Sequence, residues 1–134
     1  MEQNTEKVSV NVNTATLSSI DLLVDNGYHS NRSDFINQSL RDSLDKQSGT
    51  IERIIEREKQ KNEKSGNPWF LGVWSVSADE LQSYVEAGTK LSITGYGLLK
   101  FGKDIPDELV FASVERIAVK GKVLCSEAVR KRYL

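Results

Sequence analysis

Residues 7–13 read KVSVNVN, with Val8, Val10 and Val12 at every second position and Lys7, Ser9, Asn11 and Asn13 between them. Period-two alternation is the pattern of a half-buried strand, because successive side chains of an extended chain point to opposite faces. The residues beyond this strand limit how its valine row can be covered. TATLSSIDLLVDNG sets Leu17, Ile20, Leu23 and Val24 at helical spacing, with Asn13 or Thr14 as cap and Asn26-Gly27 as stop. SNRSDFINQSLRDSLDKQ then sets Phe35, Ile36, Leu40 and Leu44 on one face of a second helix, with Ser30 as its cap. A lone strand and two short helices give too little cover, since a unit of about 45 residues rarely buries enough surface to fold alone. The simplest partner is a second copy, its strand pairing antiparallel about a two-fold axis so that both valine rows lie over one shared helical core. The polar strand faces then form one outward ribbon, and a two-stranded ribbon fits the major groove of B-DNA, where base edges are distinguishable. Lys7, Ser9 and Asn11 put no carboxylate on that face, where one would repel phosphates.

Over this stretch the chain resembles a known family. KVSVNVN, the helix after it and GYHSNRSDFINQSLRDSL look like the ribbon-helix-helix class of bacterial, archaeal, phage and plasmid transcriptional repressors, the class of the Arc, MetJ and CopG repressors. The turn into the second helix is the more specific portion: Gly27, Tyr28, Ser30, Arg32, Ser33, Asp34, Phe35 and Ile36. The likeness covers about residues 6–47. It implies an intertwined dimer whose core holds Val8, Val10, Val12, Leu17, Ile20, Val24, Phe35, Ile36, Leu40 and Leu44. It also implies that Lys7, Ser9 and Asn11 contact bases and that Ser30, Asn31 and Arg32 face a phosphate. The residue types agree with those roles. Lysine donates to guanine O6 and N7, asparagine pairs with adenine N6 and N7, and serine serves either. The amides at a helix start suit a phosphate oxygen. For Arg32 an ion pair with Asp34 or Asp42 competes with the phosphate role. His29 reads as a solvated turn residue.

Ser48-Gly49 interrupts the helical pattern before TIERIIEREKQKNEK, a charged connecting helix with Ile51, Ile54 and Ile55 on one face. SGNP at 65–68 marks the strongest boundary. The expected layout is therefore a DNA-binding domain over residues 1–48, a connecting helix and linker over 49–68, and a C-terminal α+β domain over 69–134. Within the last, WFLGVWSV reads as a short buried strand. Ser77-Ala78-Asp79-Glu80 matches a capping box and opens a helix reaching Gly88. LSITGYGLLKF and VERIAVKGKVLC read as strands, and SEAVRKRYL as a closing helix. Aligning 91–99 with 117–125, an offset of 26, places Gly95 over Gly121. A two-rung solenoid or sandwich would produce that match, and so would two unrelated alternating strands. The fold class is α+β overall, with a small, strand-rich mixed domain at the C-terminal end.

Charge narrows the function. Residues 1–48 hold four basic against seven acidic side chains, while 49–68 and 69–134 each carry a net +1. No part is a basic block, so DNA affinity has to come from placed contacts. No apolar run reaches the length of a membrane span and the N-terminus lacks the features of a secretion signal, so the cytoplasm is the expected compartment. Cys125 and His29 lie 96 positions apart and make a poor metal or thiol site. No catalytic group has a plausible partner, so neither an enzyme nor a cofactor is expected. The reading is a homodimeric regulator, a repressor, of a double-stranded DNA operator. Residues 69–134 are left for higher oligomers, a protein partner or a small effector. One alternative is an antitoxin whose C-terminal region binds the toxin while the N-terminus regulates the operon. Another is a protein-interaction adaptor that does not bind DNA.

Overall fold

The computed structural model describes residues 5–134. The described elements are α1 (Thr14–Asp25), α2 (Arg32–Lys46), α3 (Ser48–Ser65), β1 (Trp69–Val76), α4 (Ala78–Glu86), β2 (Leu91–Phe101), α5 (Asp107–Ser113), β3 (Val114–Leu124) and α6 (Glu127–Tyr133). They fall into two compact units that meet between Gly49 and Thr50.

In the first unit the Asn13 side chain accepts from the Ala15 amide and caps α1. Asn26 ends it, and Gly27, at φ 81°, takes the left-handed turn that a side chain would resist. The α2 cap is Asn31, not Ser30: its side chain accepts from the Asp34 amide at 2.8 Å. Only Gln47 stands between α2 and α3, so Ser48 and Gly49 are helical and do not form the expected interruption. Residues 5–13 form no strand ladder with any of the described residues. Of the described apolar residues in this unit only Ile20 is buried, while Leu17, Val24 and Phe35 are half-buried and Ile36, Leu40 and Leu44 are exposed.

The second unit is a parallel sheet in the order β1-β2-β3. Parallel neighbours need a crossover, and α4 and α5 supply the two. The Ser77 capping box forms as the spacing predicts: the hydroxyl accepts from the Glu80 amide at 3.2 Å, and the Glu80 carboxylate accepts from the Ser77 amide at 3.4 Å. Val76, Leu91, Ile93, Leu99, Ile117 and Val123 from the sheet pack with Leu81, Val110 and Val129 from α4, α5 and α6. At the closing end the Tyr133 hydroxyl lies 2.6 Å from the Val114 carbonyl, and the Arg130 guanidinium donates to the Val123 carbonyl at 2.7 Å.

The strands repeat, but with a register different from the one the sequence suggested. Gly72 pairs with Gly97 and Gly97 with Gly121, so β3 follows β2 at an offset of 24 and not 26, and β2 follows β1 at 25. A slip of two residues preserves which side chains face inward, so alternation alone cannot distinguish these offsets. The three glycines stack at positive φ, and a Cβ on Gly97 or Gly121 would collide with the carbonyl of the glycine on the preceding strand. WFLGVWSV belongs to this series as a third rung. It is an edge strand and not the expected buried one, for Leu71 and Val73 are 54% and 57% exposed. An uninterrupted apolar run looks the same whether its neighbours lie in the chain or elsewhere.

Candidate nucleic-acid interface

The segment from Lys7 to Asn13 runs directly into the capped start of α1. Lys7, Ser9 and Asn11 are exposed along it. The intervening row is exposed as well: Val8 by 78% and Val10 by 71%, with Val12 partly shielded. A valine row left in water forgoes about 1.5–3 kcal/mol per side chain relative to burial. Nothing among the described residues covers it.

The second candidate cluster lies at the start of α2. Here the backbone is held by a reciprocal arrangement, because Asp34 receives the Ser30 amide at 3.1 Å while its own amide goes to the Asn31 side chain. The Phe35 amide bonds back to the Asn31 carbonyl. In an α-helix the amides of the first positions have no intrahelical acceptor, which leaves those of Arg32 and Ser33 for an outside oxygen. Ser30, Asn31 and Arg32 are all exposed.

Arg32 takes neither Asp34 nor Asp42 as its ion-pair partner. Its Nε and Nη2 donate to the two carboxylate oxygens of Asp21 on α1 at 2.8 and 2.9 Å. The hydrogen bonds from Arg32 hold the Asp21 carboxyl below its ordinary value, against a smaller opposing effect of desolvation, and the same bonds raise the Arg32 guanidinium above its own. This fork consumes two of the five guanidinium N–H groups. Asp21 was not legible as a partner, since a separation of 11 residues across a turn matches no helical period.

His29 is not a solvated turn residue. Its ring packs edge-on against Phe35 with centroids 5.0 Å apart, and Nδ1 lies 3.4 Å from the Asp34 carboxylate. Cys125 is half-buried, and burial raises its thiol above the ordinary range. Among the described residues no cluster of His, Cys, Asp and Glu could hold a metal ion, and no helix is long and apolar enough to cross a membrane.

An exposed valine row ahead of two capped helices and a turn rich in polar donors agrees with the ribbon-helix-helix type of transcriptional regulator. The model of the ribbon-helix-helix transcriptional regulator family matches residues 3–130, nearly the whole chain, and the protein belongs to that family. No curated protein and no solved structure matches the chain. The family match extends through the sheet unit, well past the residues that carried the sequence resemblance.

Proposed function

We propose that this regulator is a sequence-specific repressor that binds its operator as a homodimer, pairing residues 7–13 of two chains into an antiparallel ribbon that enters the major groove. The observation that carries this reading is the exposure of Val8 and Val10, 78% and 71%, on a segment with no ladder partner among the described residues. Two-fold pairing sets both valine rows over the exposed Ile36, Leu40 and Leu44 of the helices and turns Lys7, Ser9 and Asn11 toward the bases.

The α2 start meets the backbone. Ser30 and Asn31 approach a phosphate through main chain and side chain, and Arg32, anchored on Asp21, offers it the remaining guanidinium N–H groups. Asp34 limits the gain, since its carboxylate stands beside the same turn. Residues 1–48 form the DNA-binding part, 49–68 the connector and 69–134 an assembly module.

Selection of bound fragments from genomic DNA at two salt concentrations tests the reading. A shared motif with (pseudo)two-fold symmetry is expected, lost on replacing Lys7 and Asn11 with alanine. Fragments without a common sequence, or a motif retained by the double variant, would refute it.

A further inference from the structure

Among the described residues β1 has a neighbour on one side only, and its free edge lacks the devices that usually keep sheet edges apart. From Trp69 to Val76 it carries no charge and no proline, whereas β3 at the opposite edge carries Glu115, Arg116, Lys120 and Lys122. The two edges therefore cannot stack head to tail without setting Lys120 and Lys122 beside Leu71 and Val73. A neutral apolar edge is matched in charge by another of its kind.

The backbone points the same way. At Gly97 and Gly121 the missing Cβ leaves room for the preceding strand's carbonyl, and Gly72 has the same left-handed conformation with nothing within 4 Å of its missing Cβ. The space that a preceding strand occupies at the inner rungs is open at the first one.

We propose that β1 pairs with β1 of a second copy, antiparallel about a two-fold axis through Gly72, joining two sheets into one. The strand is self-complementary about that residue. With Gly72 opposite its counterpart, Leu71 faces Val73 of the partner on the outer side and Phe70 faces Trp74 of the partner on the core side. Opposed residues of an antiparallel pair share a face, and each opposition matches aliphatic with aliphatic or aromatic with aromatic. The two-fold supplies every contact twice. This contact stands apart from DNA binding and uses none of the residues assigned to it.

Two variants of the full chain test it, each with two charges on the same exposed positions. L71K/V73K sets lysine opposite lysine across the axis, and L71E/V73K sets glutamate opposite lysine. Amide hydrogen exchange reads the pairing, since alternate β1 amides face the free edge. The expected result is that these amides are as protected as those of β2 in the wild type, lose protection in L71K/V73K and keep it in L71E/V73K. Unchanged protection of the β2 and β3 amides confirms that both variants fold. Fast exchange at the β1 edge in the wild type overturns the proposal, as does equal loss in both variants. Because exchange is read at β1 in the absence of DNA, failure of the operator reading leaves this result unaffected.

Discussion

Val10→Ala separates the paired ribbon from a solvated tail. A substitution at a position 71% exposed changes the stability of an unpaired segment by no more than about 0.5 kcal/mol. In the ribbon the same side chain becomes buried, and deleting its two methyl groups forfeits about 0.8 kcal/mol for each. The two-fold counts the loss in both chains, about 3 kcal/mol. Because the side chain is 71% exposed before pairing, about 2 kcal/mol of that is gained only on association. At about 1.4 kcal/mol per decade, the dimer dissociation constant rises roughly thirty- to fiftyfold. Sedimentation equilibrium of the full chain measures it, in the L71K/V73K background so that only the ribbon associates. Thermal melts by circular dichroism should also shift with protein concentration, as they do when association stabilises a fold. A dissociation constant within about threefold of the parent, or melts that ignore concentration, would refute the shared valine core.

Other substitutions probe separate parts of the molecule. Lys7→Ala should leave dimerisation unchanged and lower operator affinity; base readout predicts relaxed preference at one base pair, costing about 1–3 kcal/mol in a titration against single-base variants, while a mere phosphate contact would weaken all sequences alike. Asp21→Asn should remove a pH dependence of stability. The depressed Asp21 carboxyl means its pair with Arg32 contributes fully above the ordinary carboxylate range, about pH 4, and loses that contribution as pH falls through the lowered value. Urea unfolding at stepped acidic pH shows this as a shallower acid slope in the variant, a small effect because both groups are exposed. Leu99→Ala opens a cavity at a fully buried site on β2 and should cost the sheet unit about 2–5 kcal/mol in denaturant unfolding. Tyr133→Phe removes the bond to the Val114 carbonyl and should cost about 0.5–1.5 kcal/mol by the same measurement.

Local features were the most legible. The α1 cap, the Asn26-Gly27 stop and the Ser77–Glu80 box all depend on residues within one turn; the stop and the box form where spacing places them, and of the two cap candidates, Asn13 and Thr14, Asn13 takes the role. Features that depend on distant partners were not. Arg32 finds Asp21 because α1 and α2 fold against each other, an arrangement that local spacing does not encode. The α2 cap falls on Asn31 and not on Ser30 since both residue types cap well and only the Asp34 geometry chooses between them. Helix α5, seven residues long, is too short for a helical period to stand out. The glycine stack is half visible in the sequence: strand matching aligns Gly121 with Gly95, and only the register links it through Gly97 to Gly72.

Two self-pairing surfaces on one chain have a consequence that neither has alone. Each is isologous, so each is satisfied by one partner. If both join the same two chains, the first contact formed turns the second into an intramolecular event, at an effective concentration set by the length and stiffness of the connecting segment. The weaker contact then needs little affinity of its own, and the product is a closed dimer. If the two surfaces choose different partners, the dimers link further, and the assembly ends only where a second axis closes it into a tetramer. Under that arrangement a single operator-bound dimer can recruit another, so binding at adjacent sites becomes cooperative without any change in the base contacts. Breaking the β1 edge would then lower cooperativity between sites while leaving affinity for an isolated site intact. In the closed dimer the same substitution weakens ribbon pairing itself, and affinity falls at every site.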